Sequence, residues 1–248
     1  ASASMTLTGI SPKDAQKIGH AVEQELVRLE QIFSLYRADS ELSQLNLEGQ
    51  LKYPSPELLD VMSLSGALHA ASGGAFDPTV QPLWIARVKG DDLEAARAAT
   101  GWEFVRFDTT EVRLLRPGMG LTLNGIAQGY ITDQIAALLR RRGLDQVLID
   151  MGEIAAIGGR PDGQGWRAGI ATPDGQIVQH VALRDRALAT SAPFGTVVPD
   201  NRNLGHIIDP RGKGVSELQT LVSISAATAV VADGLSTACC LLDKKAAQ

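Results

Sequence analysis

Apolar positions recur at helical spacing in five stretches of the chain and form short, turn-bounded runs between them. Ile18, Val22, Leu26, Leu29 and Phe33 fall three to four residues apart, so they predict a helix that buries one face. Ser11-Pro12 opens it, with Asp14 placed as in a capping box. Residues 5–10, just before it, read as a short strand. A second helix opens at Ser55-Pro56 and stops at Gly73-Gly74, and a short Ala-rich third covers about 92–99. "GIAQGYITDQIAALLRRRG", residues 125–143, reads as a fourth, with basic residues in its last turn and Gly143 as its stop. "AATAVVADGLSTACC", 226–240, is the fifth.

The runs between them predict strands. "EFVRFDTTEVRLL" reads as a hairpin with strands near 103–107 and 112–115, and "GLTLN", 120–124, as a further strand. "QVLID", "IAAIG", "WRAGIA", "IVQHVAL", "ALATSA" and "TLVSISA" follow, mostly joined by Gly, Pro and Asp turns. "GHIIDP", 205–210, reads as a strand ending at Pro210. Helices and strands interleave without clean βαβ alternation, which favours an α+β or layered α/β/α protein over a doubly wound sheet. No repeat, low-complexity tract or long linker divides the 248 residues, so 1–248 reads as one domain, with room for two closely packed subdomains.

Charge and composition narrow the function classes. The net charge of −5 argues against a nucleic-acid partner, and no apolar run is long enough to span a bilayer. The two cysteines, Cys239 and Cys240, are adjacent, which offers neither a disulfide framework nor a zinc spacing. The opening "ASASMTLTG" lacks the basic and apolar regions of a signal peptide.

Four stretches and the last helix carry candidate chemistry. "FSLYRADSELSQLN", 33–46, sets Tyr36, Ser40 and Asn46 beyond the first helix and reads most simply as a capped loop. "GGAFDPTVQPLW", 73–84, combines a glycine-freed backbone with an extended Asp77 before Pro78, so Phe76 and Asp77 face a ligand or form a turn and a core contact. "LTLNGIAQGYITD" has the strand-to-helix form that offers N–H groups to an anion. In "GHIIDP", His206 is a base or a structural histidine. In the last helix Asp233 and Thr237 stand four residues apart, one turn apart on the same face. Their hard oxygens suit Mg²⁺ or Ca²⁺. The alternative is that Asp233 caps something and Thr237 bonds back to the Asp233 carbonyl. Gly234 beside Asp233 costs helix stability and clears space.

"FSLYRADSELSQLN", "GGAFDPTVQPLW", "NGIAQGYITD", "GHIIDP" and "VVADGLSTA" together, in this order and across residues 30–242, resemble the ApbE-type FAD:protein FMN transferases. "LIDMGEIAAIG" further resembles the NosX branch that accompanies nitrous-oxide respiration. The resemblance implies a T-fold-like α+β architecture, FAD as substrate and a catalytic Mg²⁺. It implies transfer of FMN from FAD to a threonine or serine hydroxyl of an acceptor flavoprotein, NosR-like in that branch, with release of AMP. It also implies a periplasmic location and no integral membrane segment. By resemblance Asp233 and Thr237 are metal ligands through side chains, and Gly125 and Ser236 through carbonyls. Tyr36, Asn46, Ala75, Phe76, Asp77, Thr122, Gln128, His206 and Ile207 take cofactor-binding positions. His206 is the implied base, with Asp77 as the other catalytic candidate. Three positions depart from the family pattern: Thr122 stands where Asp is usual, Gln128 where Lys is common, and Glu153 where the usual "GGD" has Asp. Thr122 removes a negative charge near the adenine or ribose side. The same residues leave open an FAD-binding accessory protein of a respiratory complex, or an FAD pyrophosphatase with water replacing the acceptor hydroxyl.

Overall fold

The first helix, α1 (Pro12–Phe33), begins where the sequence places it: the Ser11 hydroxyl accepts the Asp14 N–H at 3.2 Å and donates to its carboxylate at 2.8 Å. Its apolar stripe is deep, with Leu29 fully buried. The protein is described from a computed structural model, which covers residues 3–195, 197–198, 201–212, 221–243 and 245–246.

Two bodies of secondary structure share α1. The N-terminal body holds α2 (Glu41–Glu48), α3 (Pro56–Ala71), α4 (Gln81–Lys89) and α5 (Leu93–Ala98), with a small antiparallel sheet of β2 (Gln50–Lys52), β4 (Glu111–Leu114) and β3 (Val105–Phe107) in that order. The second body is a five-stranded antiparallel sheet. Its order is β1 (Ser4–Leu7), β5 (Val147–Asp150), β6 (Ile154–Ile157), β9 (Ala187–Ser191) and β12 (Val222–Ala226). Alternation sorts its side chains. Val147, Ile149, Ala155 and Ile157 meet Ile18 and Val22 of α1 and Ile135 and Leu139 of α6 (Ala127–Arg141). Ala156 and Leu188 point the other way, onto a hairpin of β7 (Trp166–Ala171) and β8 (Ile177–Leu183). A short pair, β10 (Val197–Val198) and β11 (Asn201–Gly205), precedes the His206 loop. The last helix, α7 (Ala229–Cys239), packs against α6, β9 and β12 and contributes to both main cores. The fold is α+β, as its element order predicts.

Three local expectations are corrected, and one element is added. Residues 41–48, read as loop, form α2, because Ser40 caps it and Leu42 and Leu45 are fully buried, while Gly49 ends it at φ +70°. Gln81–Lys89, assigned no element from sequence, form α4. "GLTLN" is no strand. The Leu121 backbone bonds at both ends to the Asn46 side-chain amide (2.7 and 2.8 Å), and the Thr122 N–H goes to the Pro78 carbonyl at 2.8 Å. These partners replace a ladder. The "GHIIDP" strand ends at Gly205, not Pro210. Ile207 and Ile208 follow in the loop and are both buried, in different clusters.

Candidate active site

The first turns of α6 and α7 are held by each other's aspartates. Neither helix has a capping side chain at its own N-cap, Ile126 or Thr228. Asp133 of α6 accepts the N–H groups of Ala229 and Val230 at 2.8 and 2.9 Å. Asp233 of α7 accepts the Gly129 N–H through Oδ2 at 2.9 Å. Each carboxylate thus satisfies backbone donors that its partner's helix start leaves over. The close approach requires glycine: a Cβ on Gly129 would stand 2.4 Å from the Ala229 carbonyl oxygen. The N–H groups of Ile126 and Ala127 bond to Leu123. The anion cradle expected at this helix start therefore has three of its donors engaged by the protein.

Asp233 faces more than a helix end. Thr237 lies one turn on, with Gly125 pressed against it: a Cβ at Gly125 would stand 3.1 Å from Thr237 Oγ1. The back-bond suggested for Thr237 is made by its neighbour. Ser236 Oγ donates to the Asp233 carbonyl at 2.9 Å and shares a 2.7 Å hydrogen bond with Ser191 Oγ. Thr237 Oγ1 is 3.4 Å from Ser191 Oγ. The Ser236 carbonyl receives the Cys240 N–H at 3.3 Å. Gly234 makes room for Leu68 of α3, whose Cδ1 lies 2.2 Å from where a Cβ would be, so the space it clears belongs to the core.

Glu153, in the turn between β5 and β6, brings a second carboxylate to Asp233. It is 7% exposed, and its Oε2 is buried without a hydrogen-bond partner. Burial, then the charge of Asp233, pushes the Glu153 pKa up to about 9, with the Thr190 backbone opposing the rise. Burial likewise raises Asp233 to about 7, and the Gly129 N–H opposes it. Two buried acids that resist ionisation, one feeling the other's charge and with an orphaned oxygen, form a site that a divalent cation would satisfy. Among the described residues no group of three or more His, Cys, Asp or Glu gathers as a ligand cluster. The donors here are carboxylate, hydroxyl and backbone oxygens, which suit a hard cation. Gln128, exposed on the first turn of α6, lies over Gly152: a Cβ there would meet its Nε2 at 3.0 Å.

Residues 118–125 run from this junction to an open cleft of about 820 Å³. Gly118 and Gly120 line the cleft, Thr122 is half-buried midway, and Gly125 reaches Thr237. Tyr36, Leu47, Asn46 and Gln81 line the far end. The Tyr36 turn is built by serines: Ser34 Oγ accepts the Tyr36 and Arg37 N–H groups, and the Ser34 carbonyl accepts the Ser40 and Ser43 hydroxyls. This leaves Tyr36 95% exposed at the rim.

The 73–77 loop lies between these ends. Ala75 packs with Ile207, Cys240 and Leu241, and Phe76 belongs to the main core at 5% exposure. Asp77 is buried. Its Oδ1 accepts the Thr79 N–H and hydroxyl at 2.8 and 2.6 Å, and its Oδ2 is 3.7 Å from His69 Nδ1. Burial raises its pKa. His206 is exposed, between buried Ile207 and the end of β11. Arg211 pins this loop by pairing with Asp209 at 2.9 Å and donating to the Leu241 carbonyl at 2.6 Å.

The site residues named from sequence thus fall into three neighbouring groups. Gly125, Gln128, Asp233, Ser236 and Thr237 meet at the α6–α7 junction. Tyr36 and Asn46 line the cleft, joined to the junction by the Thr122 strip. Ala75 and Ile207 touch each other, with Phe76, Asp77 and His206 as their chain neighbours. Sequence reasoning gave no role to Ser191, Asp133 or His69, and it registered Glu153 only as a departure. Ser191, Asp133 and Glu153 act across long sequence separations, so no local spacing marks them, whereas His69 meets Phe76 and Asp77 only seven and eight residues on.

The ApbE family model matches residues 2–248. An FAD:protein FMN transferase of Treponema pallidum is 30% identical over 271 residues, covering 94% of this chain and 74% of that protein. That of Vibrio cholerae is 29% identical over 243 residues, with 90% and 73% covered. The flavin transferase ApbE structure from Vibrio cholerae superposes with a TM-score of 0.82 at 25% identity, over 99% of this chain and 89% of that one. The apo flavinyl transferase ApbE of Pseudomonas stutzeri gives 0.82 at 26% identity, over 99% and 86%.

Proposed function

The chain belongs to the ApbE family, and we propose that the α6–α7 junction is where it transfers FMN from FAD to a protein. The observation that carries this reading is the buried Asp233–Glu153 pair beside Thr237 and Gly125. Residues 118–125 join that pair to a cleft large enough for a ring system. FAD is an elongated substrate with a pyrophosphate at its middle, and the site is elongated with an acid cluster at one end.

In this reading the acceptor hydroxyl attacks the FMN phosphorus. A new O–P bond forms, the pyrophosphate P–O bond breaks, AMP leaves, and the hydroxyl proton passes to a base. Asp233 and Thr237, with the Gly125 and Ser236 carbonyls, would hold Mg²⁺, which supplies charge neutralisation for the pyrophosphate and the leaving AMP. His206, exposed on a loop tied down by Ile207 and the Asp209–Arg211 pair, takes the proton. Asp77, buried and bonded to Thr79, holds the loop that sets Phe76 and Ala75. Tyr36 covers the flavin at the cleft rim, Asn46 shapes the cleft floor through Leu121, and Thr122 and Gln128 line the path between. The stretch "LIDMGEIAAIG" supports the NosX branch, and with it a NosR-like acceptor and a periplasmic site of action. No helix among the described residues is long and apolar enough to cross a membrane.

The test is covalent flavin on an acceptor threonine, read by in-gel fluorescence after denaturation, with FAD and Mg²⁺ supplied. His206→Ala should still bind FAD and transfer FMN about 10²–10⁴ times more slowly. Full transfer by a folded His206→Ala protein would remove the histidine from the mechanism. Release of FMN and AMP without labelling would favour the pyrophosphatase, and FAD binding without turnover the accessory protein.

A further inference from the structure

We propose that Glu153 is itself a donor to the divalent cation, so that this chain presents two carboxylates to the metal, Asp233 and Glu153. The inference rests on the junction being a cation site. It concerns a residue that stands where the family pattern has the shorter Asp.

The observations are structural. Glu153 sits in the tight turn that links β5 to β6, where the Met151 N–H bonds to the Glu153 carbonyl at 3.1 Å. That turn fixes its backbone at the end of the five-stranded sheet nearest α7. The neighbouring strand end, Ser191 of β9, is bonded to Ser236 of α7 at 2.7 Å, and the Thr190 backbone interacts with the Glu153 carboxylate. Ile154 pairs with Leu188 of β9, and Gln128 at the start of α6 lies against Gly152, so the turn that carries Glu153 faces both, within reach of the Asp233 charge. Yet Oε2 is buried and makes no hydrogen bond. A buried carboxylate oxygen left unmatched costs free energy that a local structural role should have removed. Ser191, Ser236 and Thr237 bring hydroxyls close by, and these bond among themselves and to the Asp233 carbonyl. A cation would give the orphaned oxygen its partner.

The chemistry agrees with the placement. One carboxylate with a hydroxyl and carbonyls leaves a dication with a net positive charge. Two ionised carboxylates bring the local charge to zero and match the hard-oxygen preference of Mg²⁺ or Mn²⁺. Glutamate reaches one methylene farther than aspartate, which suits a donor coming from the sheet towards the start of α6. The same arrangement explains why the protein tolerates two acids here: the pair repels in the metal-free state and becomes complementary when the ion arrives.

The experiment is calorimetric titration of Mg²⁺, and of Mn²⁺ as a second probe, into the full chain without FAD or acceptor. Melting curves with and without the ion accompany it. Wild type, Glu153→Gln and Asp233→Ala are compared. Glu153→Gln keeps the shape and removes the charge. It should weaken cation affinity by about tenfold or more, with a metal-free melting temperature equal to or above wild type. Affinity within twofold of wild type in a folded Glu153→Gln protein would overturn the inference, as would a lowered metal-free melting temperature with unchanged affinity. If Asp233→Ala also leaves cation binding unchanged, the junction is no cation site, and the proposed site falls together with this one. Lost binding in Asp233→Ala with intact binding in Glu153→Gln sinks only the role of Glu153.

Discussion

Asp133 and Asp233 do the same structural work at one helix junction, and the proposed chemistry uses only one of them. Both accept N–H groups from the first turn of the other's helix. Asp133 takes two, from Ala229 and Val230, and burial raises its pKa against those bonds. Asp233 takes one, from Gly129, and stands beside a second buried acid, Glu153. Asp133 faces a small hollow that also involves Asp60, Ser63 and Tyr130. Asp233 faces Thr237, Gly125 and the strip that leads to the Tyr36 cleft. What separates the two aspartates is that Asp133 gives both oxygens to backbone N–H groups, whereas Asp233 gives only Oδ2.

The comparison breaks most completely at Gly129. Its amide bonds to Asp233 and its missing side chain lets α7 approach, so Gly129→Ala disturbs both ends. With the Ala229 carbonyl 2.4 Å from the added carbon, the helices must separate. A loss of about 3 kcal/mol or more is expected in denaturant unfolding, beyond the usual range for one methyl group. A change below about 1 kcal/mol would mean that the helices are not held this close in solution.

Asp133→Ala sharpens the contrast. It leaves two helix-start donors without their acceptor and should cost about 2 kcal/mol. Cation affinity and FMN transfer per folded molecule should stay near wild type. A loss of cation binding as large as that of Asp233→Ala would erase the distinction.

A smaller effect follows from pH. Asp233 and Glu153 have folded-state pKa values raised to about 7 and about 9, from ordinary values of 3.8 and 4.5. A raised value means that the folded state favours the protonated acid. Their contribution is fully present below about pH 4 and is lost as pH climbs through about 7 and then 9. Melting curves in EDTA should therefore fall over this range, and saturating Mg²⁺ should flatten the slope. A metal-free stability that rises steadily from pH 5 to 9 contradicts the geometry.

The mildest change is Thr237→Val. The hydroxyl has only a 3.4 Å partner in Ser191, so its loss should alter stability by less than about 0.5 kcal/mol. Cation affinity should still fall measurably. Equal affinity would leave Thr237 as packing for Gly125.

Much of this site was legible from local spacing, and its structural half was not. The i, i+4 relation of Asp233 and Thr237 in an apolar helix needs only the helical period, and the Ser-Pro starts of α1 and α3 need only capping chemistry. α2 was missed because eight residues with two buried leucines look like a polar loop until Leu42 and Leu45 find the core. "GLTLN" looked like a strand because its residues suit one, yet its partners are Asn46 and Pro78, 75 and 44 residues away. The opposed caps span 96 and 104 residues, from Asp133 to Ala229 and from Gly129 to Asp233, so no window of sequence contains either. Glu153 shows the same limit: its meaning depends on β9 and α7 closing around a turn.

Whether Asp233 serves transfer while Asp133 serves the fold is tested most directly by the intact mass of an acceptor flavoprotein. It is incubated with FAD, Mg²⁺ and the wild-type, Asp233→Asn or Asp133→Asn protein, each confirmed folded. Wild type and Asp133→Asn should add one FMN to the acceptor at similar rates. Asp233→Asn should be slower by about a thousandfold, the scale of several kcal/mol of metal-dependent stabilisation. Equal labelling by Asp233→Asn, or labelling by wild type that EDTA does not reduce, would contradict the assignment and leave Asp233 a helix cap alone.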